Sequence, residues 1–131
     1  MNDLFDIACN FTHESFDDDL KQVINDAMGI GVSKFLLVAA DLEDANKIDE
    51  LILIHQDLSY FTTGVHPHYA KTFNFESVKK MRALIAKNSP NALGEMGLDF
   101  FRNLSSYEEQ IFAFEEQIKL ARSEEHTSEL Q

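Results

Sequence analysis

Short apolar runs alternate along the chain with stretches in which apolar residues return every three or four positions. Leu4 to Cys9 is short and apolar and predicts a strand. From Asp17 to Met28, the residues Leu20, Val23, Ile24, Ala27 and Met28 share one helical stripe, and Gly29 and Gly31 end it. Lys34 to Ala40 (KFLLVAA) is an almost unbroken apolar run, the pattern of a strand covered on both faces of a parallel sheet. Asp41 can cap a second helix with Ala45, Ile48 and Ile52 on one face. Leu58 to Thr63, rich in aromatic and β-branched residues, predicts a third strand.

Asn74 to Lys87 predicts a third helix, with Val78, Met81, Leu84 and Ile85 facing inward, and Pro90 breaks it off. Ala92 to Glu95 predicts a short fourth strand. Ser105 with Glu108 three residues later has the spacing of a capping box. The helix it opens carries Tyr107, Ile111, Phe114, Ile118 and Ala121 on one stripe. The order is therefore βαβαβαβα, the signature of parallel α/β architecture. Four βα units make the N-terminal half of a TIM-type (β/α)8 barrel, which usually needs ~250 residues. Element order alone leaves a small doubly wound sheet as the alternative.

Composition narrows the function classes. Of 131 residues, 44% are apolar, enough for a core, and neither a linker nor a repeat interrupts them. The formal net charge is −12, so a binder that grips phosphates with a basic patch is disfavoured. An enzyme escapes that rule if divalent cations meet the phosphate. Cys9 is the sole cysteine, which excludes an internal disulfide, and no signal-peptide-like apolar stretch follows Met1. A reducing cytoplasm is the expected location. Apolar runs stay well short of the ~18 residues of a membrane span, so no membrane partner is expected. Nothing in the chain calls for an obligate protein partner.

Two stretches carry candidate chemistry. Thr63-Gly64-Val65-His66-Pro67-His68 closes the third predicted strand. In extended chain its two imidazoles point the same way. Pro67 excludes a central strand, which puts the motif at the strand's C-terminal edge, the active-site rim in barrel enzymes. The plain alternative is a pair of ordinary loop histidines. Leu93-Gly94-Glu95-Met96-Gly97-Leu98-Asp99-Phe100 crosses the end of the fourth strand. A carboxylate among apolar residues, such as Glu95, is costly to bury unless it is paired or binds a cation. The plain alternative is a strand-end salt bridge. Asp99 is acidic too, and its plain alternative, a turn residue or a group supporting a ligand from behind, is the stronger reading for it.

GVHPH, followed some thirty residues on by GEMGLDF, then Arg102-Asn103 and a glutamine-bearing helix, resembles the TatD family of metal-dependent deoxyribonucleases over Leu4 to Ala121. The resemblance implies a TIM-type barrel that hydrolyses phosphodiester bonds of DNA with a divalent metal, Mg2+ first and Mn2+ or Zn2+ as alternatives. It also implies Glu95 as metal ligand and catalytic carboxylate, and His66 as a catalytic group facing metal and phosphate. His68, Asn10 and Asp99, with His66, then become the substrate-binding set. Where many members carry His-x-His in the first strand, this chain has Ala8-Cys9-Asn10, which resembles the subgroup typified by TatD itself. A site held by fewer protein ligands is the expectation, and the neighbour parity of Cys9 turns it away from Asn10.

The last ten residues, RSEEHTSELQ, lose the apolar spacing and match one translated frame of a common short-read sequencing adapter. The expected organisation is residues 1–121 as a truncated TatD-like hydrolase barrel and 122–131 as an adapter-derived tail. Without the tail, which holds one Arg and three Glu, the charge is −10. The family's remaining ligands would lie in later strands that the chain lacks, so the chain itself should be inactive. Two other function classes compete. One is a related metal-dependent hydrolase acting on a non-nucleic ester or amide. The other is a non-catalytic α/β binding domain, in which both motifs would be structural.

Overall fold

In the computed structural model, which describes residues 3–128, with side chains as far as residue 123, four parallel strands stand in the order β1-β2-β3-β4. They are β1 (Leu4–Cys9), β2 (Val32–Leu37), β3 (Tyr60–Thr63) and β4 (Ala92–Leu93). The helices that follow them are α1 (Leu20–Gly29), α2 (Leu42–Ile54), α3 (Phe75–Asn88) and α4 (Tyr107–Ser128). Short 3-10 turns lie at Glu14–Phe16 and Pro67–Thr72. The register pairs Asp6 with Phe35, Leu36 with Tyr60, and Thr62 with Ala92. A doubly wound sheet reverses its strand order at a switch point, whereas this one steps outward monotonically. The chain is four βα units of a (β/α)8 barrel, open along β1 and β4.

Alternation along β2 explains the two sides. Phe35, Leu37 and Ala39 are fully buried against Leu20 and Ile24 of α1 and Ala45 and Ile48 of α2. Burying each large side chain there contributes roughly 1.5–3 kcal/mol. Leu36, Val38 and Ala40 point the other way and line an open cavity on the inner face. That face is only half covered, in contrast to the two-sided burial expected from KFLLVAA, because only four strands curve around it. Ile7 on β1 is 66% exposed for the same reason. A second core joins Val65, Ala70 and Phe73 to Met81 and Ile85 of α3 and to Ala113 and Leu120 of α4.

Local signals decide the ends. Asp41 caps α2 by accepting from the Asp44 N–H at 2.8 Å, as expected. Asn74 and Ser77 form a reciprocal capping box on α3. The capping box of α4 falls one residue later than expected. Ser106 and Glu109 make it, with the Ser106 N–H donating to Glu109 at 2.7 Å. Ser105 is free to bridge elsewhere because the Lys71 N–H donates to its hydroxyl and the hydroxyl donates to the His68 carbonyl.

The expected stripe of α4 is also corrected. Tyr107 and Ile118 are exposed, and Gln110, Ala113, Gln117 and Leu120 are buried instead. Two glutamine amides find backbone partners in the interior, which turns the helix away from its most apolar face. Met28, expected inward on α1, is likewise exposed at the helix end. Strands β2, β3 and β4 are shorter than their apolar runs, and α1 starts at Leu20, after the expected Asp17. Helix α4 runs past Ala121 to Ser128, as local helix propensity allows once a helix exists. The polar, apolar-poor tail is expected to make few contacts with the rest of the chain, and that expectation falls largely outside the described side chains. No helix among the described residues is long and apolar enough to cross a membrane.

Candidate functional site

The C-terminal end of β2 gathers the candidate residues. The Val38 N–H donates to Cys9 O at 3.0 Å, which sets Asn10 beside it. The His66 N–H donates to Ala40 O at 2.8 Å, and the Glu95 N–H to Ala39 O at 3.2 Å. Segments after β1, β3 and β4 thus converge on two adjacent carbonyls and their neighbour. Asn10, Thr62 and Glu95 line one inner-face cavity of about 360 Å3 with Leu36, Val38 and Ala40. A larger cavity of about 560 Å3 lies beyond Asn10, lined by Glu14, Asp17, Asp41, Glu43 and Asp44 with Lys47 and His13. Of the two, the smaller cavity holds both Asn10 and Glu95 of the expected set, and it is the candidate site.

Glu95 reaches β2 across the end of β3 because residue 64 is glycine. A Cβ there would stand 2.4–2.6 Å from the Gly94 backbone, closer than real atoms approach. Thr62 locks the crossing. Its hydroxyl donates to Gly94 O and accepts from the Ala39 N–H. Gly94 has φ +153°, a region that L side chains rarely adopt.

His66 starts the 3-10 turn that follows β3, with Pro67 at its first position, where a missing N–H costs nothing. The turn replaces the extended spacing expected of HxH. The two rings meet edge to face with centroids 4.3 Å apart. The His68 N–H donates to His66 Nδ1 at 3.2 Å, so the neutral imidazole of His66 carries its proton on Nε2. Burial first, and then neighbouring His68, push the His66 pKa down, with Glu95 and Asp99 opposing. The ring is therefore held neutral.

His68 is committed differently. Its Nε2 lies 2.6 Å from Asp99 Oδ2, which also takes the Arg102 guanidinium at 3.0 Å. Asp99 Oδ1 accepts the N–H groups of Phe101 and Arg102. The Arg102 N–H, the His68 ring and the Arg102 guanidinium hold the Asp99 carboxyl well below the usual carboxylate range. An ionised Asp99 requires the proton on His68 Nε2. Asp99 is thus both a turn former and the partner of a site histidine. Cys9 points to the helix side, buried, and burial with Asp6 beside it pushes its thiol up to about 12. Arg102, Thr62, Gln110 and Gln117 were not among the site residues expected from the motifs. Two glutamines seven apart on a helix were the signal available for the last pair.

A divalent cation needs several oxygen ligands in a defined geometry. Among the described residues, no group of three His, Cys, Asp or Glu could hold a metal ion. The described side chains therefore do not by themselves fit a divalent cation.

A family profile described as TatD related DNase matches residues 5–127. The chain belongs to that family. A 3'-5' ssDNA/RNA exonuclease TatD of Cronobacter sakazakii is 42% identical over 118 residues, covering 90% of this chain and 44% of the relative. Among solved structures, a TatD family hydrolase from Entamoeba histolytica superposes with TM-score 0.84 at 26% identity, covering 94% of this chain and 47% of that one. A TatD homologue from Escherichia coli K12 gives TM-score 0.80 at 28% identity, over 90% and 46%. The chain spans less than half the length of these TatD relatives.

Proposed function

We propose that the whole TatD-family protein to which this chain corresponds is a divalent-metal-dependent nuclease that hydrolyses phosphodiester bonds of DNA. Glu95 is its metal ligand and catalytic carboxylate, His66 its second catalytic group, and Asn10, His68 and Asp99 contact the substrate with His66. The observation that supports the reading is the convergence of Asn10, His66 and Glu95 on the Ala39–Ala40 end of β2, at the rim where barrel enzymes keep their sites. The neutral His66, with its proton on Nε2, presents a hydrogen-bond donor toward a phosphate oxygen. The ionised Asp99 fixes the His68 ring and, through two backbone N–H groups, the turn that carries Arg102. Arg102 Nη1 then supplies positive charge at a rim whose overall surroundings are acidic. The similarity to curated ssDNA/RNA exonucleases supports nucleic acid over a small ester as substrate.

The test uses the full-length protein with 5'-labelled single-stranded DNA and added Mg2+ or Mn2+. Glu95→Ala should reduce cleavage to background, and His66→Ala should lower it by about 10²–10⁴-fold. Full activity in both variants, or hydrolysis of small esters with DNA left intact, overturns the reading. We further propose that residues 122–131 are adapter-derived, that the 131-residue chain is inactive, and that the whole protein is cytoplasmic, where the lone buried thiol of Cys9 stays reduced. Resequencing the source gene across the Ala121 codon tests the tail. RSEEHTSELQ in an adapter-free read refutes its artefactual origin.

A further inference from the structure

Two polar side chains stand among the most buried described positions of α4. Gln110 and Gln117 are each 1% exposed. Burying an amide is costly unless every polar atom finds a partner, and a leucine would fill either space without that requirement. Both amides are fully used, and in the same way. Gln117 Oε1 accepts the Val65 N–H at 2.7 Å, while its Nε2 donates to Val65 O at 3.1 Å and Ala113 O at 3.0 Å. Gln110 Oε1 accepts the Asp99 N–H at 2.7 Å, while its Nε2 donates to Asp99 O at 3.2 Å and Ser105 O at 2.8 Å. Each carboxamide thus clasps both backbone polar groups of a single residue, as its coplanar acceptor and donors permit.

The clasped residues sit beside the site. Val65 directly precedes His66, and Asp99 carries the carboxylate that pairs with His68 at 2.6 Å. Seven residues on a helix are close to two full turns, about 10 Å along the axis and nearly the same angular position. One rigid helix therefore fixes the spacing between the end of β3 and the turn after β4. We propose that Gln110 and Gln117 are positioning residues that set His66 and the His68–Asp99 pair at a fixed separation in the candidate site. The inference rests on the site reading given above. A merely structural role, in which the amides only satisfy backbone groups of the core, predicts faster exchange at the clasped residue with the His68–Asp99 pair left as it is.

Met matches Gln in length and offers neither donor nor acceptor of comparable strength, so Gln110→Met and Gln117→Met isolate each clasp. The measurements are amide hydrogen exchange at Val65 and Asp99 and the low-field imidazole N–H resonance of His68, in the 15N-labelled 131-residue chain. Gln117→Met should speed Val65 exchange about tenfold to a hundredfold, with Asp99 exchange and the His68 resonance unchanged within about twofold. Gln110→Met should speed Asp99 exchange by the same factor and abolish the His68 resonance, with Val65 unchanged. If either methionine variant fails to fold, the leucine variant at that position likewise removes the acceptor for the backbone N–H and both donors, and the same residue-specific pattern is expected from it. Equal acceleration of all amides, no change at the clasped residue, or an unchanged His68 resonance in Gln110→Met overturns the proposal. None of these readouts requires nuclease activity, so a failed nuclease reading and a failed clasp reading give different results.

Discussion

Gly64→Ala tests most directly how the site is assembled. The added Cβ would stand 2.4 Å from Gly94 C and 2.6 Å from its Cα and O, where ordinary contact begins at 3.4 Å. The Gly94 backbone must therefore retreat by about 1 Å, and it is backbone, which yields less readily than a side-chain tip. It is also tethered. The Gly94 N–H donates to Thr63 O at 3.0 Å, the Thr62 hydroxyl donates to Gly94 O, and the next N–H reaches Ala39 O at 3.2 Å. Overpacking of this kind costs about 1–3 kcal/mol, and each hydrogen bond lost adds about 1 kcal/mol. With one or two bonds lost, the total is about 2–5 kcal/mol. For a chain of this size that lowers the melting temperature by about 8–20 °C. Gly29→Ala is the control, because its Cβ meets nothing within 4 Å, and it should change stability by less than about 1 kcal/mol. Thermal unfolding followed by circular dichroism reads both. A Gly64→Ala protein that melts within about 2 °C of wild type refutes the claim that this close approach carries Glu95 to β2.

Asp99 links the His68 pair to acid stability. Its folded-state carboxyl titrates below the unfolded value, so its contribution is present above about pH 4 and disappears as pH falls through the folded value. Asp99→Asn should therefore flatten the loss of melting temperature between pH 5 and pH 2 (about the range over which the unfolded carboxyl titrates); identical curves for both proteins count against the pairing. Cys9 predicts the opposite limb. Its thiol is raised from 9.0 to about 12 in the folded protein, so stability is complete below about pH 9 and is lost as pH rises toward 12, and Cys9→Ser should reduce that alkaline loss. At pH 8 an alkylating reagent should modify Cys9 at least about tenfold faster in urea than in buffer, and equal rates would contradict its burial. The 131-residue chain with Mg2+ should leave single-stranded DNA uncut. Soluble, metal-dependent cleavage by it would mean that the ligands present suffice.

Much of the architecture is local information. Apolar runs of four to seven residues alternating with 3.6-residue stripes announce parallel βα units, because strand and helix each bury one repeating face. Asp41 and Asn74 show in the sequence as helix starts because a cap is a contact between residues two or three apart. GVHPH and GEMGLDF are legible for a similar reason, since glycines, a proline and ionisable groups at strand ends are unusual there. The shorter strand ends, and the rotation of α4 that buries Gln110 and Gln117, were not legible. Apolarity counts the helix's own side chains, whereas the interior offered two backbone residues, Val65 and Asp99, that only an amide could match. The pairing of His68 with Asp99 spans 31 residues, and that of Gln117 with Val65 spans 52. No spacing rule along the chain encodes such contacts. The collision that forbids a side chain at Gly64 exists only once β4 crosses β3. The sequence by itself therefore determined the units and the residue types capable of chemistry, while tertiary packing decided which of them touch, because distance in space is set by the strands lying between them.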